Sequence, residues 1–189
     1  LLLEINTTHQ PATDLGYLLH KHPDKLQTVE LSTGKAHIFY TEADEQSCTA
    51  CLLLDINPVD LVRGHKGRPA FLQEHYVNDR SYTSNSFLGT AIVKAFGTAI
   101  NGTCHARPEL PRTAIPLKAT IHALKVDGDK EYIHKLFGPL GYKSSYETVP
   151  LDSAFPGWGE SKTVNLTVEK TTTLKEFLSQ LYVFMMVLD

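Results

Sequence analysis

Cysteines and histidines are the groups in this chain that a metal or a nucleophilic mechanism would use. Cys48-Thr49-Ala50-Cys51, with Cys104-His105 later, has the letters of a zinc site. The spacing argues against one. Cys48 to Ile56 reads as a strand, on which a rise of ~3.3 Å per residue sets the two cysteines ~10 Å apart on opposite faces. Zinc, with bonds of ~2.3 Å to sulfur, cannot bridge that distance. We therefore expect structural thiols and no metal. His20-Lys21-His22 offers two imidazoles with no acidic or histidine partner nearby in sequence, and reads as a surface helix end, where cationic histidine suits the macrodipole.

Other stretches point to phosphate or to partners. Lys125-Val126-Asp127-Gly128 has the Lys-x-Asp-Gly form of the site where nucleic-acid ligases attach a nucleotide to lysine. None of the other nucleotidyltransferase motifs follows, and Asp127-Gly128 sits where a strand should turn into a helix. A turn is the simpler reading. Arg63-Gly64-His65-Lys66-Gly67-Arg68 combines backbone N–H groups and cations, so Arg63, Lys66 and Arg68 are candidate RNA contacts. It lacks the Lys-Ser/Thr ending of a P-loop. Tyr76-Val77-Asn78-Asp79-Arg80-Ser81-Tyr82 is a polar, aromatic-flanked segment before a helix, and Phe155-Pro156-Gly157-Trp158-Gly159 a rigid aromatic loop. Tyr, Trp and Arg are residues that interfaces favour, so Tyr76, Asn78, Asp79, Arg80 and Tyr82, with Phe155 and Trp158, are the candidate partner-binding residues. No Gly-x-Ser-x-Gly, His-Glu-x-x-His or Gly-x-Gly-x-x-Gly occurs, and no general acid–base pair is evident. We name no catalytic residue.

The elements that must position these groups follow from periodicity. Phe87, Ala91, Ala95 and Ala99 form one row and Leu88, Ile92, Phe96 and Ile100 the row beside it, with Lys94 the only charge between Ser81 and Gly102. A helix so apolar should be covered on most sides, and the rest of the fold should pack around it. Thr83 to Ser86 supply N-caps and Asn101-Gly102 a stop. Before it we expect a strand at Leu1–Asn6, a helix capped by Thr13 or Asp14, a hairpin of Gln27–Ser32 and Lys35–Tyr40, and a strand at Cys48–Ile56. After Pro108, Pro111 and Pro116 we expect a strand around Leu117–Val126 and a helix capped by Asp129 with Tyr132, Ile133, Leu136 and Phe137 on one face. Strands at Tyr142–Val149 and Thr163–Glu169 and a helix capped by Thr173 complete the chain. The fold class is α+β: two small subdomains, 1–106 and 107–189, with mainly antiparallel sheets around the central helix.

Composition sets the outer limits. The chain has 189 residues and a formal charge of −3, which speaks against a large nucleic-acid surface, usually basic. No apolar run reaches the ~18 residues of a membrane span, so we expect no membrane partner. Three cysteines do not make a disulfide framework, which makes the cytoplasm the default compartment.

Several stretches also resemble a known family. Thr7-Thr8-His9-Gln10-Pro11-Ala12-Thr13-Asp14-Leu15-Gly16-Tyr17-Leu18-Leu19-His20-Lys21-His22-Pro23 resembles the opening of the bacterial 3′-terminal RNA ribose 2′-O-methyltransferases. Gly34-Lys35-Ala36-His37, Tyr76 to Arg80, Phe96-Gly97-Thr98-Ala99, Leu136 to Tyr142, Phe155 to Gly159 and Leu178 to Val183 continue the match in the family's order. The resemblance is to the family's N-terminal half. It implies a non-catalytic domain that binds the ligase module of a bacterial polynucleotide kinase–phosphatase–ligase and activates its adenylylation in RNA repair. The methyltransferase domain, with S-adenosylmethionine and manganese, would follow residue 189. The alternative is an RNA-binding module that delivers cleaved RNA 3′ ends to that domain.

Overall fold

The computed structural model describes residues 1–32, 34–56, 84–126, 128–152 and 154–188. Seven strands appear in it: β1 (Leu2–Thr7), β2 (Gln27–Leu31), β3 (Gly34–Ala43), β4 (Cys48–Ile56), β5 (Ile115–Lys125), β6 (Lys143–Pro150) and β7 (Glu160–Thr172). Four α-helices accompany them: α1 (Asp14–Leu19), α2 (Ser84–Ile100), α3 (Tyr132–Phe137) and α4 (Leu174–Val187).

The α+β class holds, with one correction to the expected pair of sheets. All seven strands form a single antiparallel sheet in the order β2-β3-β4-β1-β5-β7-β6. The first strand is the reason. β1 pairs on one side with β4, Leu3 opposite Leu52, and on the other with β5, Leu3 opposite Ile121. Without that second pairing both halves would carry an apolar strand edge with unpaired N–H and C=O groups.

Alternation gives the sheet two unlike faces. Leu3, Ile5, Ala50, Leu52, Ala119, Ile121, Leu166 and Val168 lie on one face and are all buried. The opposite face carries Glu4, Asn6, Thr49, Lys118, Thr120, Thr167 and Glu169, none of them buried. This is the usual solution for an antiparallel sheet covered on one side.

The helices lie on the apolar face. In α2, Leu88, Ala91, Ile92, Ala95, Phe96 and Ala99 are buried, while Thr90, Val93, Lys94 and Thr98 are exposed. Both rows read from the sequence therefore face inward, and α2 packs chiefly on α4. Gly89 permits that approach: a side-chain carbon there would lie 3.0 Å from the end of Met186. The helix stops as expected, at Gly102 with φ +72.

Two further expectations need revision. Asp14 does not spend its carboxylate on a cap; it meets Arg107. In α3, Ile133 and Phe137 are buried and Leu136 is partly so, but Tyr132 is 47% exposed. A helix of six residues is too short to turn four large side chains inward. Among the described residues no helix is long and apolar enough to cross a membrane.

Candidate docking surface

The most distinctive exposed group stands at the tip of the β6–β7 hairpin. β6 ends at Pro150, opposite Glu160 at the start of β7, and the Leu151 N–H donates to the Gly159 carbonyl at 3.0 Å, closing the loop's base. Inside, the Asp152 carboxylate accepts the Ala154 N–H at 2.7 Å and the Asp152 carbonyl the Phe155 N–H at 3.2 Å. A 3₁₀ turn follows at Pro156–Trp158, where the Trp158 N–H donates to the Phe155 carbonyl at 3.0 Å. Gly159 then takes φ +86, a left-handed conformation that glycine adopts at little cost. The chain thus re-enters β7 directly.

This backbone brings Phe155 and Trp158 together. Their rings stack at 4.8 Å between centroids and 14° between planes, and they are 53% and 64% exposed. Leu151, beside them in the loop, is 61% exposed. Aromatic side chains carry ~150–250 Å² each. The exposed half of two such groups, at ~25 cal/mol per Å², corresponds to about 5 kcal/mol of unrealised burial. A held aromatic pair in water is unusual for a stable surface.

The base of the tip is acidic. Glu160 accepts from Lys130 Nζ at 3.2 Å and from Thr148 Oγ1 at 3.0 Å, and these hydrogen bonds hold its pKa below the usual value. The Tyr146 hydroxyl donates to Glu131 at 3.2 Å. Partial burial, then the nearby carboxylates of Glu131, Asp129 and Glu160, push the Tyr146 phenol upward.

Elsewhere the sequence candidates fare differently. Arg63, Lys66 and Arg68, and Tyr76, Asn78, Asp79, Arg80 and Tyr82, all lie outside the described residues. Cys48, Cys51 and Cys104 are buried free thiols. Cys48 shares the core face with Ala50, and Cys51 turns the other way, in register with Glu4, as the strand spacing required. Burial, followed by Asp44 and Glu42, pushes the Cys48 thiol up to about 11, and burial raises Cys51 as well. Among the described residues no group of three or more His, Cys, Asp or Glu is placed to hold a metal. His20 ends α1 in a left-handed conformation with its Nε2 2.8 Å from the Thr103 carbonyl oxygen. Gly128 takes φ +90, as the turn reading of the Lys-x-Asp-Gly stretch expected.

Two features escaped the sequence. One is the contact of Arg107 with buried Asp14, in which the guanidinium also lies 4.4 Å over the Tyr17 ring. The other is a cleft on the open face of the sheet lined by Asn6, Thr8, Lys118, Lys143, Glu169 and Lys170, among others. It combines residues from four strands whose register only the fold supplies. Its charge is largely internal, since Lys118 lies 3.6 Å from Glu169 and Lys170 2.8 Å from Glu176.

Comparison with known proteins agrees with this architecture. No curated protein matches the chain. Two solved structures, described as the Pnkp1/Rnl/Hen1 RNA repair complex and the Pnkp1/Rnl/Hen1 complex, contain a chain of similar fold. Their TM-scores are 0.62 and 0.59 at 13% and 12% identity. All of this chain is covered, against 42% and 41% of theirs, so it spans about two fifths of the length of the chains it matches. The family model for the RNA repair, ligase-Pnkp-associating, region of Hen1 matches residues 1–189. The chain therefore belongs to the family of ligase-Pnkp-associating regions of Hen1.

Proposed function

We propose that this chain docks on its cognate RNA repair ligase and promotes the ligase's adenylylation, with the hairpin tip at Phe155 and Trp158 as the docking anchor. The observation that carries the reading is the stacked, half-exposed aromatic pair on a backbone closed by four hydrogen bonds. A rigid anchor loses little conformational freedom on binding, so most of its contact energy is available to the complex.

Activation needs only modest energy. A ligase that exists in competent and incompetent arrangements shifts toward the competent one if this chain binds it better. Tenfold activation from a sparsely populated state needs about 1.4 kcal/mol of differential affinity. One well-buried aromatic anchor supplies ~2 kcal/mol or more. The chain would thus act without contributing a group to the chemistry, which is attack of the ligase's own lysine on the α-phosphorus of ATP with pyrophosphate as the leaving group. On this reading the chain works in the cytoplasm. Methyl transfer to the RNA 3′-terminal 2′-OH, with S-adenosylmethionine and manganese, is a task for other parts of the parent.

The test mixes the chain with its ligase and labelled ATP and follows label on the ligase. Faster labelling with the wild-type chain, lost with Trp158→Ala, is the expected result. Unchanged labelling in a complex that forms would reduce the chain to a tether.

A further inference from the structure

We infer that the surface meeting this tip is a cationic protein surface: an apolar recess for Phe155 and Trp158, edged by arginine or lysine side chains. The inference rests on the docking reading above and adds the chemistry of the partner.

Charge around the tip carries it. Asp152 lies within the loop, Glu160 at its base, and Asp129 and Glu131 stand with Glu160 around Tyr146. Among the described residues, three lysines stand against these four carboxylates: Lys130, which Glu160 already engages at 3.2 Å, Lys162, exposed further along β7, and Lys125, opposite Thr163 on β5. The excess is negative. Phe155 covers one face of the Trp158 ring, and the 64% exposure of Trp158 leaves indole surface for an incoming group. A guanidinium seated there would gain from the ring quadrupole and from the carboxylates together.

The same charges disfavour the other natural occupant of an exposed aromatic stack. Single-stranded RNA stacks its bases on such platforms only where cations neutralise the phosphates alongside. Here the phosphates would meet carboxylates. A basic protein face is complementary in sign, and its association should be steered and salt-sensitive.

The experiment titrates the chain against its cognate ligase by calorimetry at low and at moderate salt. Trp158→Ala is compared with the triple variant Asp129→Asn, Glu131→Gln and Asp152→Asn. The amide replacements keep an acceptor oxygen for the Glu131 and Asp152 hydrogen bonds, and thermal unfolding verifies that both variants fold. We expect the triple variant to bind about tenfold more weakly at low salt and to lose most of the salt dependence, and Trp158→Ala to weaken binding at both salt concentrations. If Trp158→Ala weakens binding while the triple variant matches wild type at both salts, docking stands and the cationic partner surface falls. If Trp158→Ala leaves binding unchanged, the tip is not the anchor and the inference falls with it, while docking through another surface stands. A single-stranded RNA oligomer titrated in parallel should show no binding that depends on Trp158. Trp158-dependent RNA binding would overturn the assignment to protein.

Discussion

The carboxylate of Asp14 is buried in the first turn of α1 and meets the guanidinium of Arg107, 93 residues later in the chain. Arg107 belongs to the connection between α2 and β5 and lies over the Tyr17 ring. The contact therefore holds the connection between the two halves of the sequence against a helix of the first. The two ends differ in exposure, the Asp14 side chain at 7% and that of Arg107 at 44%.

That asymmetry predicts unequal mutants. Arg107→Ala leaves a buried carboxylate without its cation, a change that costs ~3–5 kcal/mol when both ends are buried. Solvent around the guanidinium reduces this to about 1–3 kcal/mol here. Asp14→Asn, which buries no charge, should cost less. Urea unfolding of both single variants and the double one measures the difference. Losses that simply add in the double variant would mean that Arg107 acts through packing on Tyr17 and not through the carboxylate.

A second prediction concerns Asn85, fully buried in the first turn of α2. Its amide nitrogen donates to the carbonyl of Lys125 at the end of β5 (2.8 Å) and to that of Leu188 just past α4 (3.2 Å). One side chain thus joins three elements that are far apart in sequence. Asn85→Ala deprives two carbonyls of a donor and should cost about 1–3 kcal/mol. Asn85→Asp should cost more, because it turns a carboxylate toward those oxygens. Chemical denaturation with a common m-value would read both, and a cost for Asn85→Ala near that of a surface change would remove the joining role.

These two residues show what could be read in the chain and what could not. Repeats of four placed α2 and its buried rows, since helical periodicity is local. Strand alternation puts Cys48 and Cys51 on opposite faces from their spacing alone. Asn85 and Asp14, by contrast, are residue types that favour helix starts, and local chemistry offered capping as their role. Their observed partners are 40 to 103 residues away, a distance at which no spacing rule operates. The single sheet was hidden for the same reason, because β1 carries no sign that it pairs on both edges. Phe155 and Trp158 stood out by type alone. Their stacking and the acids around them needed the hairpin.

The thiols give a third prediction. Burial and the carboxylates of Asp44 and Glu42 hold the Cys48 thiol up to about 11, against ~8.5 in an unfolded chain. A group raised on folding contributes stability that is fully present below its unfolded value and lost as pH climbs through the folded one. Stability should therefore fall between about pH 8.5 and 11, and Cys48→Ala should flatten that fall whatever its effect at neutral pH. At pH 7.5 the three buried thiols should resist an aromatic disulfide reagent in the folded chain and react when it is unfolded. Fast labelling of Cys48 in the folded state would contradict the burial argument.

Trp158 is the chain's single tryptophan, which makes the tip its own reporter. An indole 64% exposed should emit at the long wavelength of a solvated ring and be quenched readily by acrylamide. The acidic base adds a sign: measured relative to free tryptophan, quenching by cesium should be enhanced and quenching by iodide reduced at low salt, and both differences should shrink as screening shortens the reach of the carboxylates. Adding a ligase that itself lacks tryptophan, by substitution where necessary, should shift the emission blue and protect it from both quenchers, because a docked anchor loses its water. An emission unchanged by complex formation would place the contact elsewhere on the chain. Since Trp158 contributes nothing to the core, Trp158→Ala should keep stability within about 0.5 kcal/mol of wild type, so that any loss of binding is a loss of contact and not of fold.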